Sequence, residues 1–165
     1  MLRIVPTAMV GLLTAMVGLL TASCAEPQSD PVFERDLVRK KFEAWRQGTG
    51  SPFELLAKDA AWTIEGRGRF AGTFDREALE TNVVAPFNAL LGKPLRPTTP
   101  LLYQDGNTVI AVFGASATLK SGEPYTNRYA WFMTFEGGQI VKVNAFLDLA
   151  AFQNALDISN TNRQP

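Results

Sequence analysis

Residues 124–148 read PYTNRYAWFMTFEGGQIVKVNAFLD, and this stretch decides the fold. Tyr125, Asn127, Tyr129, Trp131, Met133 and Phe135 recur at every second position, which places them on one face of a strand. Gly137-Gly138 turns the chain, and residues 140–147 form a second, final strand. Asp148 follows directly and precedes Leu149-Ala150-Ala151-Phe152, a short closing helix. Two long strands joined by a tight turn make an antiparallel pair, so the second half of the chain is a meander.

Upstream, Tyr103-Gln104-Asp105-Gly106-Asn107 carries an Asp-Gly hairpin signal. Residues 108–119 are β-branched and apolar, and Ser121-Gly122-Glu123-Pro124 makes the next turn. Before residue 101 the pattern is helical. Asp30-Pro31 reads as an N-cap and first turn, and Phe33, Leu37, Val38, Phe42 and Trp45 fall on one helical face until Gly48. Ser51-Pro52-Phe53-Glu54 is a capping box that opens a short helix through Ala57. A strand is expected around residues 61–65, then a glycine-rich turn into residues 70–74. Asp75 caps a third helix carrying Ala78, Leu79, Val83 and Val84, disturbed by Pro86. Helices first and hairpin-linked strands afterwards argue an α+β domain with helices on one face of an antiparallel sheet.

Composition narrows the chemistry. The chain has 165 residues, 46% of them hydrophobic, with 16 basic and 16 acidic side chains. A near-neutral domain has no long-range field for a phosphate backbone, and the cluster Arg39-Lys40-Lys41 is interleaved with Arg35, Asp36 and Glu43 as on a solvated helix face. Nucleic acid is therefore not an expected partner. Histidine is absent and cysteine occurs once, which removes the commonest acid–base side chain, the commonest zinc ligand and any disulfide within the chain. Neither a metal nor a cofactor is expected.

The first 25 residues form a leader. Residues 5–25 carry no charge, Arg3 gives a positive start, and TAMVGLL occurs twice in tandem within residues 7–20. Leu20-Thr21-Ala22-Ser23-Cys24 resembles the lipobox of bacterial lipoproteins, which would make Cys24 the lipidated N-terminus, although Thr21 stands where leucine is usual. Ordinary cleavage after Ala25 and an uncleaved apolar anchor are the other two readings. The expected organisation is a leader at 1–25, a tether at 26–30, the domain at 31–156 and a frayed tail at 157–165. The domain would be exported, either lipid-anchored at the cell envelope or released as a secreted or periplasmic protein.

LLAKDAAWTIEG at 55–66, residues 124–148 and the AAF at 150–152 together resemble the nuclear-transport-factor-two-like superfamily, in its SnoaL-like and ketosteroid-isomerase-like branch. The resemblance spans essentially the whole domain. It implies a cone: a strongly curved antiparallel sheet wrapped around N-terminal helices, a cystatin-like roll, with a pocket at the open end. It also implies a homodimer formed through the outer sheet face. Members include isomerases, cyclases, epoxide hydrolases, dehydratases and non-catalytic binding domains, so the fold alone fixes no reaction.

The candidate ligand-binding residues are Trp45, Trp62, Phe70, Tyr125, Asn127, Tyr129 and Trp131. Asn127 is the polar exception in an aromatic row and must find hydrogen bonds, from a ligand or from a bend in the sheet. Asp59, if enclosed by Trp45, Trp62 and Phe70, could transfer protons; in an exposed loop it could not. Asp148 reads as a helix cap. Catalytic relatives often show Arg-Glu/Asp-Tyr-Leu-Asp where this chain has Asn144-Ala145-Phe146-Leu147-Asp148, so Ala145 replaces an acid. Two functions remain open. One is an exported domain that binds a small, mostly apolar molecule or a protein partner. The other is a cofactor-independent isomerase, lyase or hydrolase using Asp59, with Tyr129 and Asn127 stabilising charge.

Overall fold

The computed structural model describes residues 31–161. The leader, Cys24 and the tether lie outside them.

Helix α1 (Pro31–Gln47) opens the domain. Val38 and Phe42, one helical turn apart, are buried on its inner face. The helix stops at Gly48, whose φ of +81° suits glycine. There the Gly48 N–H donates to Trp45 O at 3.1 Å and the Thr49 N–H to Ala44 O at 2.9 Å, the two bonds of a Schellman end. A single 3₁₀ turn, Pro52–Leu55, follows with the Ser51/Glu54 capping box in place.

Seven strands form one curved, unclosed sheet: β1 (Leu56–Ile64), β2 (Gly72–Phe74), β3 (Leu91–Pro97), β4 (Leu101–Asp105), β5 (Thr108–Leu119), β6 (Pro124–Glu136) and β7 (Gln139–Leu147). Their order is β2-β1-β7-β6-β5-β3, with β4 also on β5. β4 takes the first part of β5 and β3 the second. Where one edge strand hands over to the other, Thr98 and Gly114 are tied by N–H to carbonyl and N–H to hydroxyl bonds. Bulges interrupt the β1–β7, β3–β5 and β6–β7 registers, and each adds local twist. Helix α1 lies in the resulting hollow, where the Phe42 ring meets Phe113 at 4.8 Å and Trp131 at 5.8 Å. Helix α4 (Leu149–Thr161) closes one end. This is the α+β cone expected from the sequence.

The differences are local. The expected helix through Ala57 ends as one turn at Leu55, because β1 starts at Leu56 and pairs early with β7 at Ile140. The β1–β7 pair is parallel, so the sheet is mixed. β3 runs through LGKPLRP, a stretch to which no strand was assigned. Its prolines cannot donate to a ladder, which an edge strand tolerates. The third helix is three pieces: α2 (Arg76–Leu79), a π turn (Glu80–Val84) and α3 (Ala85–Asn88). Pro86 lacks an N–H for the α-helical bond, and the Ala85 N–H reaches back five residues to Glu80 O. Helix α4 extends to Thr161, past the boundary expected at residue 157, with Gln153 donating to Asp157 one turn along.

Candidate functional site

Between the concave face of the sheet and the α2–α3 segment lies a cavity of about 670 Å³. Its floor is aromatic because β1 and β6 alternate large side chains inward: Trp62 from β1, Tyr129 and Trp131 from β6. Trp45 from α1 stacks on Trp131 at 5.8 Å, and Phe53 stacks on Trp62 at 5.0 Å. Trp62 and Trp131 meet edge to face at 4.9 Å. Leu79, Val83, Val84 and Phe87 form the opposite wall, and Leu149 and Phe152 of α4 close one end. Apart from the tryptophans, polar side chains among the lining residues are few: Ser51, Glu80, Asn88, Arg96 and Tyr129. Ser51 is engaged in its capping box.

Four candidate ligand-binding residues, Trp45, Trp62, Tyr129 and Trp131, come together on this lining; Phe70, Tyr125 and Asn127 do not. Phe70 packs edge-on against Phe152 at 5.1 Å, behind the end wall. Tyr125 packs on Phe87 at 4.9 Å. Asn127 is buried, but every hydrogen-bonding position of its amide is taken within the protein. Its Nδ2 donates to Tyr125 Oη and to the Asp148 carbonyl, both at 2.9 Å. Its Oδ1 accepts from the N–H of Asp148 at 3.0 Å and of Arg128 at 2.7 Å. Asn127 is thus a clasp between β6 and the start of α4, and has no proton or lone pair left for a ligand.

The clasp nevertheless reaches the cavity through the tyrosines. The Tyr125 and Tyr129 hydroxyls are 3.1 Å apart. Either hydroxyl can be the donor; when Tyr125, already accepting from Asn127, donates to Tyr129, the Tyr129 O–H is left for a further acceptor. Burial raises both phenols above their ordinary value, Tyr129 far more than Tyr125. Both therefore stay protonated donors at neutral pH.

The carboxylates are placed differently from the enzyme reading. Asp59 is exposed on β1, at the bulge where two successive residues, Lys58 and Asp59, face outward. It is not enclosed by Trp45, Trp62 and Phe70, and the role of cavity acid does not hold for it. Asp148 caps α4, its Oδ1 accepting the Ala151 N–H at 3.0 Å. Glu65 accepts from Asn144 Nδ2 and pairs with neither arginine of the glycine-rich turn. Ala145 is on the cavity wall, so a methyl group and no acid stands there. Glu80, on the π turn, is the one carboxylate of the lining among the described residues. Glu80 and Arg96 are not marked by any local pattern in the sequence, since the helix bends at Pro86 and β3 is rich in proline. The signal for a wall was there in Leu91 and Leu95, apolar residues spaced along an edge strand.

Solved structures share this architecture. An NTF2-like protein of Burkholderia thailandensis matches with a TM-score of 0.58 at 22% identity, over 80% of this chain and 98% of that one. Bal32a, from a soil-derived mobile gene cassette, matches at 0.62 with 20% identity, over 78% and 99%. TerC, co-crystallised with polyporic acid, matches at 0.58 with 18% identity, over 78% and 99%. At such identities the likeness is one of fold, and the fold is NTF2-like. No protein-family model and no curated protein matches the chain.

Proposed function

We propose that this is an exported NTF2-like domain that binds one small, mostly apolar molecule in its cone, with the Tyr129 hydroxyl as the orienting donor. The observation that carries the reading is the cavity of about 670 Å³, floored by three tryptophans and a protonated tyrosine. An apolar enclosure with few convergent polar groups is the usual form of a small-molecule site. TerC, of the same fold, was crystallised with a small molecule, which fits this reading. Binding is preferred over catalysis because Ala145 puts a methyl on the wall and Asp59 faces solvent. In the enzyme alternative Glu80, and not Asp59, would have to supply the proton transfer.

The test uses the leaderless protein and N-phenyl-1-naphthylamine, a neutral dye whose emission rises in apolar cavities. The dye should bind one to one. Val84→Trp, which places a large ring into the cavity from its wall, should abolish binding while the protein stays folded by circular dichroism. No binding by the parent protein would sink the reading.

Export rests on the leader, and the mature N-terminus decides its form. Mass spectrometry should find a diacylglyceryl group on Cys24; a free Glu26 would instead indicate plain secretion. The homodimer implied by the resemblance finds support in the outer sheet face. Register places Tyr103, Ile110 and Phe132 in one row across β4, β5 and β6, and Leu101, Val112, Ala130 and Phe146 in the next, extended to β7. Leu101, Tyr103, Phe132 and Phe146 are exposed there, a contiguous apolar patch of the kind that pairs with a second copy.

A further inference from the structure

We propose that Arg96 is an anion-binding residue of the cavity, and that the natural occupant is a carboxylic acid: an apolar ring system bearing one carboxylate. The inference rests on the small-molecule reading above and adds the ligand's charge.

Arg96 is the one cation on the cavity lining among the described residues, and it is half-buried. None of the ion pairs formed among the described residues includes it; the acids are Asp36, Glu54 and Glu43, each paired elsewhere. Its guanidinium makes one described hydrogen bond, Nη1 to its neighbour's carbonyl, Leu95 O, at 3.2 Å. A guanidinium carries five donors in a rigid fork that suits a carboxylate. Most of that fork is uncommitted.

Its seat is built rather than incidental. The β3–β5 register slips between Lys93 and Arg96, so the strand does not simply alternate, and Leu95 and Arg96 both reach the cavity lining. The guanidinium then lies over Gly48: a Cβ there would sit 2.5 Å from Nη2. Gly48, which ends α1 with a φ of +81°, has no side chain to push the guanidinium from that position. The C-terminal end of α1 beneath it favours a positive charge, which holds the group in place without supplying the counter-charge. Leu95 and Trp45, also on the lining, supply the apolar surroundings in which a single ion pair counts for more than in water. The far ends of the ligand are thereby distinguished: carboxylate at Arg96, a neutral acceptor at Tyr129.

The experiment measures displacement of N-phenyl-1-naphthylamine by anthracene-9-carboxylate and by its methyl ester, two ligands of nearly one shape that differ in charge. The acid should bind more tightly than the ester by about tenfold or more, the range of a charge-assisted contact. Arg96→Gln should bring that ratio close to one, and Arg96→Lys, which keeps the charge and loses the fork, should give an intermediate ratio. Equal binding of acid and ester to the parent protein overturns the anion site and leaves the apolar cavity standing. A preference that survives in Arg96→Gln also overturns it, since the charge would then be read elsewhere. If neither ligand displaces the dye although the dye binds, the carboxylate assignment fails. If the dye itself does not bind, the cavity reading fails first and this inference with it.

Discussion

Asn127 ties the Tyr125 hydroxyl to both backbone polar groups of Asp148. The hydroxyl keeps Tyr129 and the carbonyl keeps the Phe152 N–H as second partners, so the Asp148 N–H depends most on the amide. Asn127→Ala should therefore destabilise the domain by roughly 1–3 kcal/mol, because four hydrogen bonds are lost although most of their partners keep a second one. Urea unfolding checks this, and a loss below about 0.5 kcal/mol would mean that water replaces the amide freely. The tyrosine pair makes a second prediction. Burial raises the phenol of Tyr129 above the ordinary value of 10.0, so folding favours its protonated form. The sign follows: this contribution to stability is complete below the unfolded value and is lost as pH climbs above it. Absorbance at 295 nm should show the buried pair ionising only together with alkaline unfolding. Tyr129→Phe should make stability less sensitive to pH in that range. At this scale the sequence was half legible. The aromatic row of β6 announced itself by alternation, yet alternation shows only that Tyr125, Asn127 and Tyr129 share a face. Which of them meets the cavity depends on α4, whose first residues cover Asn127, and nothing local to β6 encodes that.

Helix α4 is held by its cap, by the Asn127 clasp before it and by the buried side chains of Phe152, Ala155 and Leu156. Asp148→Ala should cost about 1 kcal/mol, the usual value of an N-cap. Phe152, caught between Phe70 at 5.1 Å and Phe87 at 4.9 Å, should cost more on truncation, about 3–5 kcal/mol for Phe152→Ala. Thermal or chemical melts of the two variants give the order directly; a cap worth more than the ring would mean that α4 is positioned by its first turn alone. Elements with strong local signals were read correctly from sequence: the Schellman stop at Gly48, the capping box at Ser51 and the Asp-Gly turn at Gly106. Elements whose form comes from neighbours were not. β3 is a strand because β5 offers it an edge, against the preference of Pro94 and Pro97. β1 begins at Leu56 because β7 is there to pair with it.

For the molecule as a whole, the outer sheet face carries the remaining prediction. Phe132 and Phe146 are 37% and 47% exposed and touch each other edge to face at 5.6 Å. If they form the centre of a dimer, Phe132→Lys with Phe146→Lys should give a monomer by sedimentation with the cavity still binding dye. A parent protein that sediments as a monomer at micromolar concentration would remove the dimer. The cone was legible because a long helix opens the domain and a run of hairpin-linked strands fills its second half; its hollowness was not, since the same aromatic residues could have filled the space.

The first strand lies alongside the last, running the same way. During synthesis Trp62 has no neighbour on that flank until Val143 has left the ribosome. The sheet cannot be completed from its leading half, and pairing of its two distant ends comes late and slowly. Until then β1 has only the short β2 beside it, and the Trp62 flank stays open. The front of the fold is thus sealed only by its back, and a chain cut short before β7 would keep that edge bare.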